Sequence, residues 1–349
     1  MTSAPMQPIT LMHISDLHIG ELDPSTGDAD MGPVMRFMST NTPLFDGLLG
    51  HHATGLQHLE SFWSRLLADN PGAEVVVSGD VTRWGGWGEL NNAHAFLGGM
   101  LNAPFGKTGL QFSSWRKRAI PGNHDHWPGV PHVVGPPDPS VKKAFLDNYP
   151  RIETLRPGSR KPIHLIAINS DSDVHPSSVY RTGAIGHFQT QLGKAHTQLL
   201  KVGDGIRVLL LHHSWNKKNG ILSISRSSRG ALYQFMEEEG ISILMSGHVH
   251  TPSIEKIAIG SPGYSRPQRY VWECRCGTTT QVDKMWYTAR TLLGNFPQKD
   301  KWPANSLLVH RITEDSRGGI KWHVQTFVRD RTGFHPSFAN GAHEIISIP

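Results

Sequence analysis

The chain has 349 residues, enough for one large domain or two ordinary ones of about 150 residues. Charged residues make up 18% of it and the nine apolar types 38%, with 36 glycines and 24 prolines, so disorder and coiled coil are excluded and a globular, loop-rich protein is expected. The net charge of +5 helps attract a phosphate-bearing ligand but is too mild and too scattered to argue for nucleic acid by itself. No run approaches the roughly eighteen apolar residues of a membrane span, and residues 1–8 lack the charged and apolar regions of an export signal. A cytoplasmic protein with no membrane association is therefore expected. Cys274 and Cys276 stand too close together for disulfide geometry and are too few for a zinc site. The unusual number is histidine: 21 residues invite a search for metal ligands, although most must have another explanation.

In chain order, Ile9 to Ile14 alternates as a strand and runs into Ser15-Asp16-Leu17-His18. A Gly/Pro/Asp-rich stretch over 20–50 follows. Leu56, Leu59, Phe62, Trp63, Leu66 and Leu67 then repeat at helical spacing up to Asn70-Pro71-Gly72. The β-branched Glu74-Val75-Val76-Val77 ends at Ser78-Gly79-Asp80, and a weaker helical pattern covers 88–101. Residues 118–120 make a short strand candidate before Pro121-Gly122-Asn123-His124-Asp125. Residues 162–168 read as a strand. Ile185, Phe188, Leu192, Ala195 and Leu199 mark one helix face, leading to a strand at 206–211 and then His212-His213. A helix over 229–239 precedes the strand Ile241 to Met245, which opens into Ser246-Gly247-His248-Val249-His250. Beyond about 263 only strand-like stretches stand out, notably 306–310 and 321–327. No flexible linker precedes them, so they are expected to extend the same domain.

Alternating strands and helices imply an α/β fold, in which ligand-binding groups gather at the carboxyl ends of strands, where all five polar clusters fall. Together these ends offer Asp16, His18, Asp80, Asn123, His212, His248 and His250, a carboxylate, amide and imidazole set able to bind two divalent metals. Residues two apart in extended chain face the same side, so Asp16 with His18 and His248 with His250 can each aim two ligands at one place. Gly79 and Gly247, just before ligands, let the backbone pack closely.

The ordered motifs Asp16-Leu17-His18, Gly79-Asp80, Gly122-Asn123-His124-Asp125, His212 and Gly247-His248-Val249-His250 resemble the calcineurin-like metallophosphoesterase superfamily, over about 9–258. The resemblance implies a four-layer α/β/β/α sandwich with a β-rich C-terminal extension, here a single domain with its core over 9–258 and the extension over 259–349. It further implies that Asp16, His18, Asp80 and His250 hold one metal and Asp80, Asn123, His212 and His248 the other, with Asp80 as the bridge. The metals would be manganese, iron, zinc or cobalt, and a hydroxide they hold would attack phosphorus in line. His124 resembles the family histidine that protonates the leaving oxygen, and Asp125 would orient and charge-support that imidazole. His212 and His213 compete for one ligand position, and the first is chosen, although Ser214 stands where the family pattern has proline.

Departures narrow the choice. Arg83 stands where purple acid phosphatases carry a ligating tyrosine, and the run from Gly79 to Gly85 differs from the pattern of protein Ser/Thr phosphatases. The chain looks most similar to bacterial phosphodiesterases of the cyclic-nucleotide and glycerophosphodiester type, which implies a small phosphodiester substrate. A nuclease ranks below it because the basic residues form no cluster beyond Arg116-Lys117-Arg118. A phosphomonoesterase is a further alternative, and a non-catalytic scaffold is the alternative of another class. Arg83 is a candidate phosphate contact, and Trp84, Trp87 and Trp127 are candidate stacking walls, with plain packing as the competing reading. The remaining motif-free histidines, among them His51, His126 and His132, are expected at the surface or in helix packing. The loops 20–50 and 101–117 are expected to control access.

Overall fold

The computed structural model describes residues 8–30, 50–126, 145, 147–155, 161–170, 187–215, 224, 226–259, 269–280, 305–314, 319–337 and 344–348. The first half contains β1 (Ile9–Ile14), α1 (Ala53–Asp69), β2 (Glu74–Val77), α2 (Trp87–Gly98), β3 (Leu101–Ala103), β4 (Gly106–Thr108), α3 (Trp115–Arg118) and a 3-10 turn at His124–His126. There follow β5 (Arg151–Leu155), β6 (Ile163–Ala167), α4 (His187–Val202), β7 (Ile206–Leu210), α5 (Arg226–Glu238) and β8 (Ile241–Ser246). Among the described residues only strands come after: β9 (Ser253–Ile259), β10 (Arg269–Arg275), β11 (Ser306–Glu314), β12 (Ile320–Asp330), β13 (Gly333–Pro336) and β14 (Glu344–Ile348).

Two six-stranded sheets result. One runs β13-β12-β11-β1-β2, with β14 also on β12, and the other runs β5-β6-β7-β8-β10-β9. Side chains alternate across each strand, so the central strands feed two cores. Leu11, Val76, Leu308, Trp322 and Val324 of the first sheet meet Leu165, Val208, Leu210 and Ile243 of the second. Met12, Ile14, Val75 and Val77 turn the other way, onto Leu56, Leu59 and Phe62 of α1 and Phe96 of α2. Ile166, Leu209 and Leu244 likewise leave the second sheet for Leu192 and Leu199 of α4 and Leu232 and Phe235 of α5. Three interlayer cores make the α/β/β/α sandwich that the resemblance implies.

Two sequence expectations change. Residues 118–120 are not a strand: α3 occupies 115–118, and Ala119 keeps only a single parallel bridge to Val77. The helical pattern proposed for 88–101 stops at Gly98, and 101–108 instead folds as the β3–β4 hairpin. This hairpin region is fastened to α1, since Trp63 Nε1 donates to the Leu110 carbonyl (2.8 Å) and Thr108 Oγ1 to Glu60 (2.7 Å). The C-terminal strands are β as expected, and β11 lies antiparallel beside β1 in the middle of the first sheet, so 306–330 completes that sheet.

A polar string crosses the central core. Trp322 Nε1 donates to His310 Nδ1 (3.0 Å), the His310 and His13 rings lie 5.6 Å apart, and His13 Nε2 meets Ser78 Oγ at 2.8 Å. Burial pushes His13 down to about 3, against a smaller upward pull from Asp16. A histidine depressed in this way stabilises the fold fully above its unfolded value near 6.5, and loses that contribution as pH falls towards 3. Between pH 6.5 and 5.5 His13 should therefore remove about 1 kcal/mol of unfolding free energy, and urea titrations of His13→Gln should show a pH slope smaller by that amount. Trp322→Ala empties the largest apolar group between the sheets and orphans His310, so it should lower stability by about 3–5 kcal/mol in the same assay.

Candidate metal centre

The polar residues at the strand ends converge because the chain turns sharply there. Asp16, His18, Asp80, His248 and His250 all have left-handed backbone, with φ of 51°, 48°, 49°, 68° and 58°. Such conformations disfavour residues that carry a Cβ, and each costs on the order of 1 kcal/mol or more. Their concentration at one place marks a site that the surrounding structure holds in position.

The holding bonds cross between motifs. Asp16 N–H donates to the Gly79 carbonyl and His18 N–H to that of Asp80, both at 3.0 Å. One oxygen of each carboxylate is pinned by a backbone amide: Asp16 Oδ2 accepts from His248 N–H (3.0 Å) and Asp80 Oδ1 from His124 N–H (2.8 Å). The other oxygens face imidazoles. Asp16 Oδ1 lies 3.2 Å from His250 Nε2 and 4.0 Å from His18 Nε2, while Asp80 Oδ2 lies 3.3 Å from His212 Nε2 and 3.9 Å from His124 Nε2. His212 Nε2 also stands 3.1 Å from Asn123 Oδ1 and 3.2 Å from His248 Nδ1. The seven residues expected as ligands are thus brought together.

Three overlapping groups have ligand atoms within 4.8 Å of one another: Asp16, His18 and His250; His18, Asp80 and His124; and Asp80, His212 and His248. Asp80 and His18 each belong to two of them. Both ring nitrogens of His18 and Nε2 of His248 are buried without a hydrogen-bond partner. Buried polar atoms are seldom left so, and lone pairs that converge beside two carboxylates fit divalent cations. The site's own electrostatics agree. Burial and the neighbouring His124 push His18 down to about 3, and burial with His213 holds His248 well below its ordinary value, so both stay neutral and able to ligate. Burial raises the Asp80 carboxyl, but His212 and His124 outweigh it and keep it well below the usual range. His212 is the converse case: burial opposes its charge, yet Asp80 and Asp16 push it up to about 9. Its Nδ1–H donates to the Ser78 carbonyl at 2.7 Å, which directs Nε2 at the cluster.

Glycines admit this density of side chains. A Cβ on Gly79, whose φ is +104°, would stand 2.3 Å from His212 Nδ1, and one on Gly122 would stand 2.2 Å from Asp80 Oδ1.

Of the two adjacent histidines, His212 joins the cluster, whereas His213 meets Ser170 Oγ through Nδ1 at 2.8 Å. Asp125 does not support the His124 ring as expected. His124 Nδ1 faces the Arg83 carbonyl at 2.8 Å, and the Asp125 carboxylate instead accepts from Val81 N–H, Gly122 N–H, Thr82 N–H and Thr82 Oγ1, at 3.1, 2.9, 2.8 and 2.7 Å. Asp125 locks the Asp80 and Asn123 loops together, so it acts on the loop and not on the ring.

Arg83 does not offer its fork to a phosphate. The side chain is 3% exposed, pairs with Glu89 at 3.2 Å and donates to the Asp30 carbonyl at 2.8 Å, because a buried guanidinium must be matched. Trp84 stacks on that guanidinium at 4.0 Å, beside the Arg83–His124 contact, and Trp87 is exposed at the start of α2. Trp127 lies outside the described residues, as do 31–49 of the 20–50 loop. His51, expected at the surface or in helix packing, is fully buried and staples a loop, with Nδ1 accepting from Gly20 N–H (3.1 Å) and Nε2 3.1 Å from the Gly27 carbonyl. His126 Nε2 lies 3.3 Å from Asn169 Oδ1. The sequence reading missed Ser78, Asn169, Ser170 and the threonines at 278–280. Only the last carried a signal, three consecutive hydroxyls after a strand of mixed polarity.

An α/β/β/α sandwich with buried aspartates and histidines collected at its strand ends defines the metallophosphoesterase class. A model of that family, calcineurin-like phosphoesterase, matches residues 9–252, and the chain belongs to it. Among solved structures the chain is similar to a dimetal phosphatase from Danio rerio, at 9% identity over 95% of this chain and 99% of that one, with a TM-score of 0.49. It is also similar to GAP50, the anchor in the inner membrane complex of Plasmodium, at 9% identity over 95% and 89% of the two chains and a TM-score of 0.47. Vps29 from Entamoeba histolytica, complexed with zinc, is 10% identical over 97% and 98%, with a TM-score of 0.26. Nothing about activity follows from likenesses this distant. No curated protein matches the chain. Among the described residues no helix is long and apolar enough to cross a membrane.

Gly79→Ala should destabilise the fold by at least about 1 kcal/mol and displace His212, which thermal unfolding and a calorimetric Mn²⁺ titration would both register. Asp125→Asn puts an NH₂ group against buried N–H donors and should cost about 1–3 kcal/mol in denaturant unfolding.

Proposed function

We propose that the protein is a dinuclear-metal phosphodiesterase acting on cyclic nucleotides or other small diesters. The observation that carries this reading is the pair of buried carboxylates, each with one oxygen pinned by a backbone amide and the other facing imidazoles, next to a histidine that is not needed to complete the ligand sets. Asp16, His18, Asp80 and His250 would hold one ion, and Asp80, Asn123, His212 and His248 the second, with Asp80 between them. Manganese, iron, zinc and cobalt all suit such donors. Bound ions would supply Lewis-acid polarisation of the phosphoryl group and lower the pKa of water at the site.

His124 performs the proton transfer. A carbonyl can only accept, so the Nδ1 contact with Arg83 places the ring proton on Nδ1 and leaves Nε2 as the atom that exchanges protons. Nε2 lies 3.9 Å from Asp80 Oδ2, at the edge of the cluster where it would donate a proton to the leaving ester oxygen. Trp84, stacked on Arg83 beside this loop, and the exposed Trp87 would be the stacking surfaces for a base or aromatic leaving group. Arg118 ion-pairs with Glu74 and Glu153, which removes one of the three clustered basic residues from any extended groove and ranks a nuclease lower. The reading treats the chain as one cytoplasmic catalytic unit, with 259–349 part of it.

The test is hydrolysis of bis(p-nitrophenyl) phosphate beside p-nitrophenyl phosphate after reconstitution with Mn²⁺, Fe²⁺, Zn²⁺ or Co²⁺. The diester should turn over faster, chelation should abolish turnover, and His124→Ala should lower kcat by about 10²- to 10⁴-fold while metal still binds. Turnover of the monoester alone would overturn the diesterase assignment, and inactivity with every metal bound would favour the non-catalytic scaffold.

A further inference from the structure

The loop that carries Asp16 and His18 is gripped from two sides. Its N–H side is held by the turn after β2, through Asp16 to Gly79, His18 to Asp80 and Ile19 to Val81 at 2.9–3.0 Å. Its carbonyl side is held by a segment far away in sequence. The Ser15 carbonyl accepts from Thr279 N–H at 3.0 Å, the Asp16 carbonyl from Thr278 Oγ1 at 3.0 Å, and the Leu17 carbonyl from Thr280 Oγ1 at 2.6 Å. Thr279 Oγ1 in turn accepts from Ser15 N–H at 3.2 Å and donates to the Ser306 carbonyl at 3.2 Å. All three threonines are buried, with at most 3% exposure.

The strap also reaches the second sheet. Cys276 N–H donates to the Ser246 carbonyl (2.8 Å) at the end of β8, Cys276 Sγ contacts the His13 carbonyl of β1 (3.4 Å), and a Cβ on Gly277 would stand 3.2 Å from the His250 carbonyl. It therefore lies across the gap between the sheets, touching backbone on both sides of the Asp16, His18 and His250 group. Two residues of that loop are in left-handed backbone, and a conformation of this kind persists only where its surroundings over-determine it.

We infer that Thr278 and Thr280 are positioning residues for the Asp16–His18–His250 half of the metal centre, holding that loop in its ligating conformation through two hydroxyl-to-carbonyl bonds. The inference rests on the metal reading above and concerns one half-site, not the fold at large. Replacing either hydroxyl by a methyl group of equal size leaves a buried carbonyl without its donor and releases a loop whose backbone is strained.

The experiment is a calorimetric Mn²⁺ titration of metal-stripped full-length protein, with thermal unfolding of the metal-free form alongside. The wild type should bind two ions. Thr278→Val and Thr280→Val should weaken one of the two by about 10- to 100-fold and leave the other unchanged, as loss of support behind a ligand typically does. Thr278→Ser and Thr280→Ser, which keep the donor, should restore it. Thr10→Val, which removes a buried hydroxyl bonded to Asn70 elsewhere on β1, should lower the unfolding temperature without altering either ion. Thr278→Ala leaves room for a water donor, so it should show the same selective loss at smaller size and serves if the valine variant does not fold. Two unchanged ions, or equal weakening of both, would overturn the inference while leaving the metal centre standing. A wild type that binds no Mn²⁺ would overturn the metal reading and this inference with it.

Discussion

The centre depends on backbone that bends into the left-handed region at five residues bearing side chains. An ordinary strand end would continue outwards and scatter Asp16, His18, Asp80, His248 and His250 over the rim of the sandwich. The positive φ values turn each of them back towards the seam between the sheets. Strain of this kind is tolerable because the same turns expose N–H groups that donate to neighbouring carbonyls and to the two carboxylates. Carboxylate and backbone thus stabilise each other: Asp16 holds the His248 turn and Asp80 holds the His124 turn, so each acid is part of the scaffold before any cation is considered.

This arrangement explains why the two sheets must be locked in register. Asp16, His18 and Asp80 come from the first sheet and His212, His248 and His250 from the second, so a small slide between sheets would part Asp16 from His250 and Asp80 from His212. Leu11, Val76, Val208, Leu210 and Trp322 are buried together in the intervening layer, and close packing there resists such movement. Arg118 adds a polar tie, reaching from the end of α3 to Glu74 on β2 and to Glu153 on β5. The His13–His310–Trp322 string shows the same layer accepting polar groups where they can be paired, and its near end at Ser78 is also the residue whose carbonyl orients His212.

Charge is distributed in keeping with a cation site. Asp16 and Asp80 stay ionised although buried, and His212 answers part of that charge, while His18 and His248 remain neutral with lone pairs unspent. The dependence of buried acids on neighbouring imidazoles also clarifies Arg83 and Glu89. Their mutual pairing keeps a charged couple inside the loop whose Arg83 carbonyl faces His124 Nδ1.

The residues that meet at the strand ends were legible in the chain itself because the pattern is local: short motifs with fixed spacing, most of them at the end of an apolar run, name both the residue types and the end of the sheet on which they sit. What the sequence left open depends on partners far away along the chain. Whether Asp125 serves the ring of His124 or the loop around Asp80, whether Arg83 meets solvent or Glu89, and which of His212 and His213 turns inward are decided by what packs behind them. The place of the C-terminal strands was decided in the same way. Nothing in 306–330 advertises a position beside β1, yet that pairing, and the threonines at 278–280 that bond to the Asp16 loop, make the last third of the chain part of the site, because hydrogen bonds across some 260 residues of separation follow from the closing of a sheet and not from any local pattern.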